Sequence, residues 1–177
     1  MIPRRDALQR LSLLLGGLLS PQLTAGLLGQ ILNTGPSVEV MPEQVKLLAE
    51  AADTIIPDTD TPGAKAAGAE QFMVRVLHDC HLREEQEAFY EGLAKLEAAS
   101  RGAHARGFAE LDKAQRKALM KQTAQGDPAF FHRLRELTIA GYFCSESGAS
   151  KALEYLPIPG RFEGDIPLAP GQKGWAL

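Results

Sequence analysis

From residue 41 to residue 143 the apolar residues recur at intervals of three and four, and no sustained run of apolar–polar alternation interrupts them. That period is the period of α-helix faces, so the chain is restricted to an all-α architecture of about five helices packed around one core. In MPEQVKLLAEAADTIIP, the residues Val45, Leu48, Ala49, Ala52, Ile55 and Ile56 share one face. Pro42 suits the first turn of that helix, and Pro57 stops it. AGAEQFMVRVLHDC places Phe72, Met73, Val76, Leu77 and Cys80 on one side of a second helix, and EEQEAFYEGLAKLEAAS places Phe89, Leu93 and Leu96 on one side of a third.

Polar punctuation supplies the remaining boundaries. Asp112, with Gln115 three residues later, reads as a cap before KAQRKALMKQTA, and Asp127-Pro128 pairs an N-cap with a first-turn proline before AFFHRLRELTIAGYF. The last of these helices is the most apolar, with Phe130, Leu134, Leu137 and Gly141 on one line and Phe131, Thr138 and Tyr142 beside it, so it is expected at the centre. Gly141 costs about 1 kcal/mol relative to Ala in a helix, which points either to close approach by another element or to a kink. At 177 residues the chain suits one folded domain with terminal extensions. The organisation expected is an N-terminal segment 1–40, a helical domain 41–154 and a C-terminal arm 155–177.

The N-terminal segment reads MIPRRDALQRLSLLLGGLLSPQLTAG. Arg4 and Arg5 precede the apolar run Leu11 to Leu19, with Leu8 between them, which is the layout of a twin-arginine export signal even though Ala7 stands where a bulky apolar residue is usual. The implied destination is the bacterial periplasm, reached through the twin-arginine export machinery. The run is too short to span a bilayer, and Gly16-Gly17 interrupts it. Leu23, Leu27, Leu28, Ile31 and Leu32 continue a helical stripe beyond it, so the segment is suited either to removal or to packing on a partner or a membrane.

Charge and motif content bound the chemistry. A net charge of -3 and the lack of a basic stripe argue against nucleic acid as a partner. No G-x-G-x-x-G turn follows a strand pattern, no C-x-x-C-H is present and no G-x-S-x-G elbow surrounds Ser145, Ser147 or Ser150, so neither FAD, covalent haem nor a hydrolase nucleophile is expected in this chain. His78, Asp79, Cys80 and His81 cluster in LHDCHLREE, but on a helix they point in different directions and would need His104 or His132 to complete a metal site. They are read as polar residues at a helix end beside a buried cysteine. Asp58 and Asp60 in PDTDTPG are read as turn residues rather than paired catalytic carboxylates. For Cys80 and Cys144 two readings stand, a disulfide worth about 4 kcal/mol or two small core residues on apolar faces. No catalytic, cofactor-binding or metal-ligating residue is assigned.

The blocks ADTIIPDTDTPGAKAAGAEQF and LRELTIAGYFCSESGASKALEYLPIPGRFEGDIPL resemble the two signature regions of the gluconate 2-dehydrogenase subunit 3 family. The resemblance implies a small accessory subunit of a periplasmic, flavin-dependent sugar or polyol dehydrogenase. Its large partner, of the glucose-methanol-choline oxidoreductase class, would hold the FAD, and a c-type cytochrome carrying haem c would accept electrons. The alternative left by the residues alone is an autonomous periplasmic helical enzyme or ligand-binding protein.

The arm EYLPIPGRFEGDIPLAPGQKGWAL then takes on a meaning. Its prolines and glycines forbid long regular structure, while its aromatic and aliphatic residues favour burial. It fits an extended strap in a groove, on its own domain or on the large subunit. Tyr155, Leu156, Pro157, Pro159, Arg161, Phe162 and Trp175 are the candidate partner contacts, by residue type and by the subunit resemblance.

Overall fold

The computed structural model describes residues 38–156, 158, 160, 167 and 170–176. The export-signal residues Arg4, Arg5 and Leu8, and the arm residues Pro157, Pro159, Arg161 and Phe162, lie outside the described residues. Five α-helices are present among those described: α1 Pro42–Ile55, α2 Ala69–Cys80, α3 Arg83–His104, α4 Lys113–Gly126 and α5 Pro128–Phe143. A 3-10 turn, Phe108–Glu110, joins α3 to α4, and a π-helical turn, Gly148–Ala152, follows α5. The all-α reading of the sequence holds.

The helices begin where the local chemistry says they should. The Asp112 carboxylate accepts the Gln115 N–H at 2.8 Å, and the Gln115 side chain accepts the Asp112 N–H in return, closing a capping box. At α5 the Asp127 carboxylate accepts the Phe130 N–H at 3.1 Å ahead of Pro128. Pro42 occupies the first turn of α1, and the Gln44 side chain accepts the Met41 N–H at 2.9 Å.

Core formation departs from the expected centre. Both α1 and α5 touch all the other helices, but α1 is the more enclosed, with every residue from Leu47 to Ala52 buried, whereas α5 leaves Ile139 and Phe143 in solvent. The small side chains of Ala49, Ala51 and Ala52 are the reason. They let neighbours approach α1 on several sides without the bulk that marks a buried helix in a sequence. Leu48, Met73, Leu77, Leu93, Leu96, Phe108 and Leu134 fill the interior, and Val38 and Val40 pack against it ahead of α1.

Gly141 resolves in favour of close approach. A Cβ there would sit 3.0 Å from a Phe72 ring carbon and 3.3 Å from the Ala69 Cα, so α5 crosses α2 at the point where neither backbone carries bulk. The turn after α1 is equally tight. Asp58 accepts the Gly63 N–H at 2.5 Å, and a Cβ on Gly63 would meet the Ile56 carbonyl oxygen at 2.7 Å. This is the turn role read for PDTDTPG, and the Tyr142 hydroxyl lies 3.4 Å from Thr61 Oγ1 to tie the turn to the end of α5.

The arm differs from an extended strap. Its start and end pair with each other: β1, Glu154–Tyr155, lies parallel to β2, Trp175–Ala176, with Glu154 opposite Trp175 and Tyr155 opposite Ala176. A parallel pair requires a long connection between its strands, and the proline- and glycine-rich stretch 156–174 supplies it. The Glu154 N–H donates to the Gly174 carbonyl at 2.9 Å, and the Lys173 ammonium donates to the Lys151 carbonyl. Among the described residues, no helix is long and apolar enough to cross a membrane.

Candidate partner interface

The end of α5 sets the position of the arm. Ser145 Oγ donates to the Tyr142 carbonyl at 2.6 Å and accepts the Gly148 N–H at 3.0 Å, turning the chain within one residue of the helix end. The serines therefore act as turn formers, as their sequence context suggests. The π-helical turn continues into β1, and Ala152 packs on the core just before the arm leaves it.

From there the side chains are presented to water. Tyr155 is 55% exposed, Ile158 80% and Trp175 47%, while Leu156 is half-buried. In a parallel pair, residues opposite one another project to the same side and successive residues alternate, so Trp175 shares its side with Glu154 while Tyr155 projects to the other. The two aromatics among the candidate partner contacts thus stand on opposite sides of the neck. Ile139 and Phe143, one turn apart on α5, add exposed apolar surface that the sequence reading did not single out. The signal was present in PAFFHRLRELTIAGYF, whose apolar residues exceed what one buried face accommodates.

The histidine and cysteine candidates are dispersed. His78 Nδ1 lies 2.6 Å from Asp79, His81 Nδ1 lies 3.0 Å from Glu85, and His132 Nδ1 lies 3.3 Å from Glu136. Each pair is local in sequence, and among the described residues no group of three or more His, Cys, Asp or Glu side chains is placed to hold a metal ion. Cys80 and Cys144 are both free and both exposed, so neither the bridged nor the buried reading describes them. The reason is positional. Cys80 is the last residue of α2 and Cys144 caps α5, where the helix faces run out into solvent before the cysteine side chain is reached.

The strongest buried electrostatic arrangement is one that the sequence did not disclose. Glu50, in the middle of α1 and 8% exposed, accepts Lys65 Nζ at 2.7 Å on one oxygen and the Arg116 guanidinium on the other. Arg116 also donates to the Ala109 carbonyl at 3.0 Å. Burial pushes the Glu50 carboxyl up, but the Lys65 hydrogen bond and the Arg116 charge outweigh it and hold the group below the usual carboxylate range. Lys65 is raised in turn by its hydrogen bond to Glu50. The cluster fastens α1 to α4, to the turn before α2 and to the 3-10 segment; its geometry is that of a brace.

Taken together, the described residues define a small helical protein that leaves Tyr155, Ile158, Trp175, Ile139 and Phe143 exposed at its surface. A family model described as gluconate 2-dehydrogenase subunit 3 matches residues 42–160, and the chain belongs to that family. Comparisons with curated proteins and with solved structures return no match. The matched region takes in the five described helices and β1 but not β2, so the family signature covers the helical body. The family's description is that of a subunit of a dehydrogenase complex.

Proposed function

We propose that this chain is the non-catalytic small subunit of a periplasmic, flavin-dependent dehydrogenase acting on gluconate, another sugar or a glycoside. In that complex it stabilises the large FAD-containing subunit and supplies the export address for the folded pair through Arg4 and Arg5. A c-type cytochrome subunit takes the electrons onward. The observation that carries this reading is the subunit-family match over the helical body, and the exposed Tyr155, Ile158 and Trp175 support it by offering the residue types that anchor protein interfaces.

Three experiments test the proposal. Co-expression of the chain with its large dehydrogenase subunit should yield a complex showing a flavin absorption band that the isolated chain lacks; a flavin band in the isolated chain, or no complex, overturns the subunit assignment. A chain truncated after Glu154 should keep its helical circular dichroism and lose the large subunit in a pull-down. Changing Arg4 and Arg5 together to Lys should leave both proteins in the cytoplasmic fraction. Normal export of the large subunit in that variant removes the carrier role and leaves the structural one.

A further inference from the structure

The described bonds that fasten the ends of the arm are polar. The Glu154 N–H donates to the Gly174 carbonyl at 2.9 Å, and the Lys173 ammonium donates to the Lys151 carbonyl in the π-helical turn. Lys173 also acts through its charge on the turn that follows α1. There the Asp60 carboxyl is held below its ordinary range, first by the Thr59 hydroxyl at 2.9 Å, then by the Asp60 backbone N–H, with the Lys173 charge working in the same direction. One side chain near the end of the arm therefore answers to two turns of the body, one after α1 and one after α5.

Little apolar burial stands behind those bonds. Gly171, Lys173, Gly174 and Trp175 are exposed, and Gln172 is half-buried. Strands β1 and β2 are two residues each, and a pair that short has no face to bury, so it is marginal in water by itself. The helices, by contrast, keep Leu48, Phe108 and Leu134 wholly enclosed. A folded chain opens first where solvent-exposed backbone bonds are backed by few buried apolar contacts, and the neck of the arm is such a place.

We propose that residues 171–176 form a clasp that opens and closes as a unit while the five helices stay folded, with Lys173 as its catch. Closed, the clasp keeps the Glu154–Tyr155 edge paired within the chain, which is the protection that an exposed strand edge needs. Open, it frees that edge and releases Trp175 from the neck. The two states reconcile the closed neck of the structure with the extended strap that the prolines and glycines of the arm suggest. Both states belong to this chain alone, so the inference does not depend on the subunit reading above.

The test uses the full chain. Trp175 is its sole tryptophan, so tryptophan emission follows the clasp while far-ultraviolet circular dichroism follows the helices. In a urea titration the emission change should come at lower urea than the loss of helical signal. Lys173→Ala should move the emission change lower still and leave the helical transition where it is, and Lys173→Arg should behave as the wild type. Amide hydrogen exchange gives a second reading. The Glu154 amide should be protected relative to an unstructured peptide, but at least about tenfold less than the Leu134 amide, and Lys173→Ala should remove most of its protection without changing that of Leu134. Coincident urea transitions, or Glu154 protection equal to that of Leu134, would mean that the neck opens only with the whole domain and would overturn the clasp. So would a Glu154 amide with no protection, since the clasp would then not close, or one unaffected by Lys173→Ala.

Discussion

The helical body and the arm treat their large apolar residues in opposite ways. In the body, Phe89 and Phe130 pack with ring centroids 5.4 Å apart and the rings tilted at 54°, and Phe108, Leu134 and Met73 are wholly enclosed. In the arm, Tyr155, Ile158 and Trp175 face water, although the arm is tied at its neck by a backbone pair and by Lys173. The body's apolar residues were placed by helical periodicity and therefore found one another. Those three arm residues were not, because the prolines and glycines around them prevent a helical face from forming.

The largest effect that separates the two regions is expected within the body. Leu134→Ala should cost about 3 kcal/mol of stability, measured by denaturant unfolding, because Leu134 is fully enclosed between α5 and its neighbours. A loss under about 1 kcal/mol there would mean that the body is not the self-sufficient core described.

Next comes the brace. Glu50→Gln should cost about 2 kcal/mol, less than the roughly 3–5 kcal/mol of a fully buried pair because Lys65 is half in solvent. The same substitution carries a pH signature. Glu50 has its carboxyl held below the unfolded value, so its contribution is fully present above the usual carboxylate pKa and is lost as the pH falls through the lower folded one. Melting temperature against pH should accordingly fall on the acid side in the wild type and fall less in Glu50→Gln.

A smaller effect probes a helix end. Asp112→Ala should cost about 1 kcal/mol through loss of the α4 capping box, with helical content nearly unchanged.

The smallest stability effects belong to the arm. Tyr155→Ala and Trp175→Ala should each change unfolding by no more than about 0.5 kcal/mol, yet each should reduce recovery of the large subunit in a pull-down. Because the two rings stand on opposite sides of the neck, unequal losses would identify which side meets the partner, and an unfolding effect as large as that of Leu134→Ala would erase the contrast between arm and body.

Much of the body was legible because its determinants are local. Asp112 with Gln115, Asp127 with Pro128 and the Asp58 turn act over three to five residues, and the apolar stripes of α2, α3 and α5 repeat within single helices. The enclosure of α1 was harder to read, since alanines bury as well as leucines do but announce it less. The exposure of Cys80 and Cys144 was missed for a related reason: an apolar stripe tells which side of a helix faces inward, but not where along its length the neighbour ends. The interface candidates at Tyr155 and Trp175 were identified from residue type, and their placement on opposite sides was not, because side follows register.

By itself, then, the sequence determined the five helices, their caps and turns, the all-α class and the resemblance that the family match bears out, since each depends on residues near one another in the chain or on a contiguous motif. Only the tertiary structure decided that Glu50 meets Arg116, that Tyr142 reaches Thr61, and that the arm closes on itself with Glu154 beside Trp175. Those pairings join residues far apart in the chain. Their partners are chosen by which helices pack together, and no local period or cap encodes that choice.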